Sequence, residues 1–332
     1  MREKEIHLVF NHKAGSGEKD IRRELNDLPS NLLAGIKKDS DIDELKNMKG
    51  LEDFLTFPDG VEPFILAGGG DGTNLSVAAE VLASISRGDL NSETLFVPLA
   101  YGNQNAVPKR LGLEGLSLSE VLQLINDCKL RTLNALPHRI KGDNFSERAF
   151  FWTAGGYLAE IVLAKVEERR KSGRLTHGYN PVAALSGIWK LVKADPTVIL
   201  QMNGEELRAS DITYVTKDFP FYTSHFRLQD FSDKSSGDLL FVINDKKKRQ
   251  GAELLAGMTI DALWAEIVRK NQFPTPTGTV SVQAVQGDKV TFDYGYNPQI
   301  QVDSEIYSRI NHDEPVTFFR RGNETGLNFG MR

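Results

Sequence analysis

Cysteine is nearly absent. Cys128 is the single one in 332 residues, which excludes an intrachain disulfide and a cysteine-rich zinc site. It reads as a small buried hydrophobe. No apolar run approaches the roughly 18–20 residues that a membrane-spanning helix needs. The opening MREKEIHLVF lacks the apolar core and small-residue cleavage site of a secretory leader, so the protein is expected in the cytoplasm. Basic charge is not in excess either. Forty Lys and Arg against 45 Asp and Glu leave a formal net charge of −5, which argues against nucleic acid held by bulk electrostatics. His138, His177, His225 and His312 show no H-x-x-x-H spacing, so no histidine metal site is expected. There is no short-period repeat and no low-complexity tract.

What is present is length enough for two domains. EIHLVF (5–10), PFILA (63–67) and TLFVPL (94–99) read as short buried strands. Each is followed by a glycine-containing loop: NHKAGSGE, GGGDGT and AYGNQN. Helical patterns lie between them, at 19–28, 41–55 and 74–87, the last stopped by Gly88. Alternating strands and helices predict a parallel α/β sheet, in which ligands gather beyond the carboxyl ends of the strands. After about residue 138 the texture changes. LFVINDKK, TVSVQAV, KVTFDYG and IQVDSEIYS carry the alternating, β-branched pattern of antiparallel strands. Helical patches occupy 158–193.

The GGGDGT loop, 68–73, is costly to order, because each glycine surrenders more backbone freedom than any other residue. Glycines let backbone N–H groups converge on an anion, and the following helix start adds unpaired donors. Asp71 would repel phosphate unless a magnesium ion intervened. The plainer reading is a tight turn in which Asp71 or Thr73 caps the helix. The spacing fits neither the P-loop nor the G-x-G-x-x-G dinucleotide pattern.

GGGDGT after an apolar strand resembles the diacylglycerol-kinase catalytic domain of bacterial lipid kinases, sphingosine kinases and ceramide kinases; NAD kinases carry a similar GGDGT. Three further segments are similar to that family. VFNHKAGSGE (9–18) resembles its N-P-x-x-G-x-G loop, with His12 in place of proline. PLAYGNQNAVPKRLGL (98–113) resembles its P-L-G-T-G-N-D-F-A-R-x-L-G segment. VDSEIYS (302–308) resembles its V-D-G-E signature. WTAGGYLAEIV (152–162) and SGRLTHGYNPVAAL (172–185) are weaker echoes.

The resemblance implies a Rossmann-like α/β nucleotide-binding domain, 1–137 with 315–332 returning to it, and an antiparallel β-sandwich-like lipid domain, 138–314. It implies ATP and magnesium as cofactors and a diacylglycerol-like lipid alcohol as acceptor. Peripheral membrane contact at the inner face and self-association as a homodimer are compatible with it. Nucleotide would be held by Asn11, Lys13, Gly15, Gly68, Gly69, Gly70, Asp71, Gly72 and Thr73, with Asn103 in support, and Asp71 would act through magnesium. Asp303 and Glu305 match the two acids of the signature, one of them the general base; two apart on a strand, they share a face. On spacing alone the pair reads as a solvated edge strand, and only the family resemblance reverses that.

Several positions depart from the family pattern. Asn74, Leu75 and Ser76 replace its x-N-E. Ala100, Tyr101 and Gln104 stand in the G-T-G-N-D segment, two additional residues precede Leu111, and Ser304 replaces glycine. Leu240 stands where an acid that helps bind a structural magnesium is usual, so that metal site is not carried over; Asp238 is a shifted candidate. Tyr101 either lines the nucleotide pocket or packs as an amphipathic surface residue. His12 either touches phosphate or is an exposed loop residue. The run DKKKRQ, 245–250, either attracts anionic headgroups or is a solvated turn. These departures keep a catalytically silent nucleotide- or lipid-binding protein open beside the kinase, with NAD kinase a third reading.

Overall fold

Residues Ile6–Phe10 are buried without alternation, as a strand covered on both faces requires. The strand they form, β1 (Lys4–Phe10), lies inside a six-stranded sheet. The computed structural model describes residues 2–12, 21–45, 48–102, 105–142, 145–156, 189–190, 193–194, 196–216, 218, 238–245, 253, 256–257, 280–284, 289–294, 300–303, 305–307 and 315–332. They divide into two compact units, Met1–Pro137 with Asn323–Arg332, and His138–Gly322.

In the first unit, β1 is followed by α1 (Ile21–Asn26), α2 (Ser30–Leu33), β2 (Ile36–Asp41), α3 (Met48–Phe54), β3 (Glu62–Gly69), α4 (Asp71–Arg87), β4 (Leu95–Ala100), α5 (Ala106–Arg110), α6 (Leu118–Asn126) and β5 (Arg131–Ala135). The strand order is β2-β1-β3-β4, then a strand from the C-terminus, then β5. The first four pair in parallel. Helix α4 buries Leu75, Val77, Ala78, Val81, Leu82 and Ile85 and ends at Gly88 in the left-handed conformation, φ 84°. It starts at Asp71, three residues before the expected Asn74. Strand β2 was not expected: IKKDSD alternates half-buried with exposed residues at the sheet edge, and its charge hides the strand. The helix expected over 41–55 is confined to α3.

The second unit is antiparallel: β6 (His138–Gly142), β7 (Phe145–Phe150), β8 (Thr153–Gly155), β9 (Val198–Met202), β10 (Glu205–Val215), β11 (Leu239–Asp245), β12 (Val280–Ala284), β13 (Lys289–Tyr294), β14 (Ile300–Val302), β15 (Glu305–Tyr307) and β16 (Val316–Phe319). Alternation along β6, β13 and β16 turns Ile140, Val290, Phe292, Val316 and Phe318 into one apolar cluster with Phe150, Tyr214 and Leu240. Phe292 meets Phe318 edge-on at 4.7 Å, and Tyr214 stacks on Phe318 at 5.4 Å. Strand β16 pairs with β13 and β6, so the return to the first unit begins at Asn323 rather than at 315. The returning strand β17 (Leu327–Met331) inserts between β4, in parallel, and β5, antiparallel.

Cys128 is exposed rather than buried. It follows α6 in the left-handed region, φ 53°, and its N–H donates to Ile125 O at 3.1 Å. This is a helix-terminating position that favours glycine. Lys4 Nζ covers the same helix end, donating to Asn126 O at 3.3 Å and lying 3.0 Å from Cys128 Sγ. Cys128→Gly is expected to raise unfolding stability by about 1 kcal/mol, measured by urea titration.

Candidate functional site

Strand order β2-β1-β3 reverses direction at β1, so the topological switch point lies between β1 and β3, where open α/β sheets bind ligands beyond the strand ends. Asn11 leaves β1 there, and Gly70 leaves β3. Asn11 N–H donates to Gly68 O at 2.8 Å, and Asn11 Nδ2 donates to Thr73 Oγ1 at 3.2 Å. The two loops are thus joined by backbone and side chain.

The glycines of 68–73 divide by cause. A Cβ on Gly68 would sit 2.3 Å from Ile21 Cδ1, and one on Gly69 would sit 2.6 Å from Thr73 Cβ. At Gly69 the obstacle is the body of Thr73, whereas at Gly68 it is only the tip of the Ile21 side chain. Gly70 is different, since a Cβ there would meet nothing closer than Gly102 Cα at 3.7 Å. Gly70 is also the N-cap of the 17-residue α4, in extended conformation and with no side-chain cap. The N-cap thus offers no side-chain acceptor of its own to the first-turn N–H groups of α4, which suits an anion.

Asp71 does not face outward from this turn. It is buried, 6% exposed, and its two oxygens accept the N–H groups of Ala106 at 2.9 Å and Val107 at 3.0 Å. Burial pushes its carboxyl up against those two donors, and the charge of Glu114 adds to the rise. No cation offsets it among these causes, and both oxygens are committed to main chain. The residue does not fit a magnesium ligand. It welds the β3–α4 turn to the start of α5.

The same weld has a second point. A Cβ on Gly102 would lie 2.3 Å from Gly70 Cα, a clash of main chain with main chain that no rotamer relieves. Asn105 closes the 102–105 turn, accepting from Gly102 N–H at 2.8 Å and donating to Gly102 O at 2.7 Å. It sits at φ 49°, a region that Asn tolerates better than most residues. Gly102→Ala is expected to cost about 1–3 kcal/mol, read by urea denaturation. Gly70→Ala should leave that stability unchanged while weakening nucleotide-induced thermal stabilisation.

Tyr101 follows neither expectation. It is buried, and its hydroxyl donates to Glu24 Oε2 at 2.8 Å, an oxygen that also accepts Leu118 N–H at 2.8 Å. Burial first, then the Glu24 charge, pushes the phenol well above its ordinary value, so it stays a neutral donor tying β4 to α1 and α6.

His12 is exposed and hydrogen-bonded through Nδ1 to Asp41 Oδ2, at the carboxyl end of β2. Asp41 also accepts N–H groups from His12 at 3.2 Å and Asp43 at 2.9 Å, with Arg22 Nη2 3.6 Å away. Burial pushes the Asp41 carboxyl up, but the Asp43 N–H and the His12 hydrogen bonds outweigh it and hold it below its ordinary value. Ligand atoms of His12, Asp41 and Asp43 lie within 4.8 Å of one another, and Arg22 already supplies the countercharge. No local pattern announces this group, because β2 and β1 meet only in the sheet.

In the second unit, Asp303 is buried, 7% exposed, and its oxygens accept Phe151 N–H at 2.9 Å and Trp152 N–H at 2.8 Å. Val302 pairs with Glu305 across the β14–β15 hairpin, which makes 303–304 a two-residue loop. Asp303 at φ 48° fits a primed hairpin turn. Its carboxylate is a backbone clamp, contrary to the base role left open for it. Glu305 has a described backbone in β15, but its side chain lies outside the described residues. Lys13, Gly15, Asn103 and the run 246–250 also lie outside them.

Leu240 belongs to the apolar cluster. Two residues earlier Asp238, 5% exposed, accepts from Arg320 Nη2 at 2.9 Å and Tyr214 Oη at 2.8 Å, and lies 2.7 Å from His138 Nε2. An arginine thus neutralises this buried acid.

No family model matches the chain, and no curated protein matches it. Solved structures do match its fold over its whole length. A diacylglycerol kinase from Bacillus anthracis superposes with TM-score 0.58 at 14% identity, covering 100% of this chain and 97% of its own. A candidate diacylglycerol kinase from the same organism gives 0.62 at 16%, covering 100% and 99%. Yeast NADH kinase complexed with NADH gives 0.50 at 10%, covering 100% and 84%. The chain has the mixed fold of these kinases, a largely parallel α/β sheet plus a separate antiparallel sheet.

Proposed function

We propose that this protein is an ATP-dependent lipid kinase that transfers the γ-phosphoryl group to the hydroxyl of diacylglycerol or a related lipid alcohol. The observation that carries this reading is the N-terminus of α4 at the β1–β3 switch point, where the N-cap Gly70 supplies no capping side chain, a place suited to nucleotide phosphates. The likeness of the whole chain to diacylglycerol-kinase folds supports the choice of acceptor. Asn11, Gly70, Gly72 and Thr73 border the phosphate position, with Lys13, Gly15 and Asn103 assigned to it by family pattern. Glu305 is the remaining acid for general base. It would take the lipid O–H proton as the oxygen forms its bond to phosphorus and ADP departs. Magnesium, arriving with ATP, would neutralise phosphate charge; Asp71 is not assigned to it.

Purified protein incubated with labelled ATP and magnesium should label a diacylglycerol in mixed micelles and leave NAD and NADH unlabelled. Label on the dinucleotides alone would transfer the activity to them. One observation favours a second reading: two of the three acids matched to the family chemistry, Asp71 and Asp303, are occupied by main-chain donors. A silent nucleotide-binding protein would show thermal stabilisation by ATP with no labelled acceptor.

A further inference from the structure

At the carboxyl edge of the parallel sheet, Gly68 of β3, Phe10 of β1 and Asp41 of β2 stand level in the pairing register. Just beyond Phe10, His12 occupies the place where the resembled family has proline. Its side chain is 38% exposed, whereas that of Asp41, to which it is tied, is 1% exposed. A carboxylate can only accept, so the bond between them uses the proton on Nδ1. Asp41 also accepts the His12 N–H at 3.2 Å, and one buried group thus fixes both ring and backbone. Among the described residues Nε2 has no hydrogen-bond partner, and in the neutral ring it keeps an acceptor lone pair. The preceding residue, Asn11, reaches the other way across the sheet, to Thr73 Oγ1 at 3.2 Å.

We propose that His12 is a specificity-determining residue of the nucleotide site, its Nε2 accepting a hydrogen bond from a ribose hydroxyl of ATP. This rests on the phosphate position proposed at the start of α4. The end of β2 lies two strand spacings from the end of β3, about 10 Å. A nucleotide that extends from α4 over β1 brings its sugar to His12. Charge decides which part of the nucleotide belongs at this end. Asp43 and Glu44 join Asp41 here, and the guanidinium of Arg22 lies 3.6 Å from Asp41 and 4.0 Å from Glu44. Carboxylates in excess repel phosphate and tolerate a neutral group. Phosphate oxygens are also acceptors, whereas a hydroxyl can donate to Nε2. In dinucleotide folds an acid beyond the second strand meets the ribose directly. Here Asp41 is spent on His12, and the ring carries the acceptor outward. Proline has no acceptor in its side chain, so the preference belongs to this chain rather than to the fold.

Calorimetry of the full-length protein, with magnesium and without lipid, tests the assignment. ATP should bind about fivefold more tightly than at least one of its 2′- and 3′-deoxy forms, the worth of one neutral hydrogen bond. His12→Ala should bind ATP and that deoxy form alike. The side chain is exposed, so the variant should keep the parent's thermal unfolding profile. The ratio is its own control, since a disturbed loop weakens both nucleotides together and only loss of the acceptor brings them level. His12→Phe keeps a ring without the nitrogen and should give the same levelling. Equal affinities in the parent, or a preference that survives both substitutions, overturns the inference. So does a levelling of ATP against inosine triphosphate instead, which would assign the ring to the base amino group. In each of these cases phosphorylation of diacylglycerol in detergent micelles leaves the kinase reading standing. If ATP does not bind at all, that reading falls and the inference falls with it.

Discussion

Asp238→Ala is expected to destabilise the β-rich unit by about 1–3 kcal/mol, because it takes the acceptor from the buried Tyr214 hydroxyl and the half-buried Arg320 guanidinium. Arg320 gives Asp238 two hydrogen bonds at 2.9 Å, Tyr214 gives one at 2.8 Å, and His138 Nε2 lies 2.7 Å from the carboxylate. Removing the carboxylate leaves these donors facing a cavity on the rim of the apolar cluster. Asp238→Asn should cost less, since one acceptor oxygen survives. Burial pushes the Asp238 carboxyl up, but the His138 hydrogen bond and charge, then Arg320 and Tyr214, reverse this and hold it at about 2. A depressed carboxyl contributes its stability above its unfolded pKa, near 4, and loses it as pH falls through the folded one. Wild type should therefore lose about 2 kcal/mol between pH 4 and pH 2 from this group, and Asp238→Asn should lack that part of the acid slope. Urea titrations at several pH values, followed by circular dichroism, measure both effects.

The same cluster marks the limit of what local sequence carries. Strands β1, β3 and β4 were legible because buried parallel strands are apolar runs ending in glycine loops, a signal contained within eight or so residues. Strand β2 was not, since an edge strand can be half lysine and aspartate without losing its hydrogen bonds. The acids failed for another reason. Residue type and a nearby turn are visible in sequence, but the direction of a short side chain is fixed by donors far along the chain. Asp71 meets donors 35 and 36 residues away, and Asp303 meets donors 151 and 152 residues away. Arg320 and Asp238 are separated by 82. Asn105 is the nearer case: an Asn three residues after a glycine is a turn former, a signal contained in the local sequence.

Glu305→Gln is expected to lower kcat by about 10²–10⁴, the usual worth of a positioned general base, while leaving the unfolding curve in place. Asp303→Asn should do the opposite. Asparagine retains one acceptor oxygen and tolerates the left-handed turn, so the loss is of one charged hydrogen bond to Phe151 or Trp152, about 1–3 kcal/mol. Its kcat should stay within roughly tenfold of the parent, as befits a residue that acts by holding the β14–β15 hairpin rather than by touching the hydroxyl. The split is informative because the two acids stand two apart in one signature and would be equivalent if both faced substrate. A proton acceptor must present a lone pair to the reacting hydroxyl in the protonation state that pH 7 supplies. Asp303 has turned its oxygens to the amides of Phe151 and Trp152, between β7 and β8, which leaves Glu305 to meet that requirement. Should Asp303→Asn abolish turnover at full stability, and Glu305→Gln spare it, the clamp described for Asp303 would not be its principal role, and the base would have to be reassigned to it.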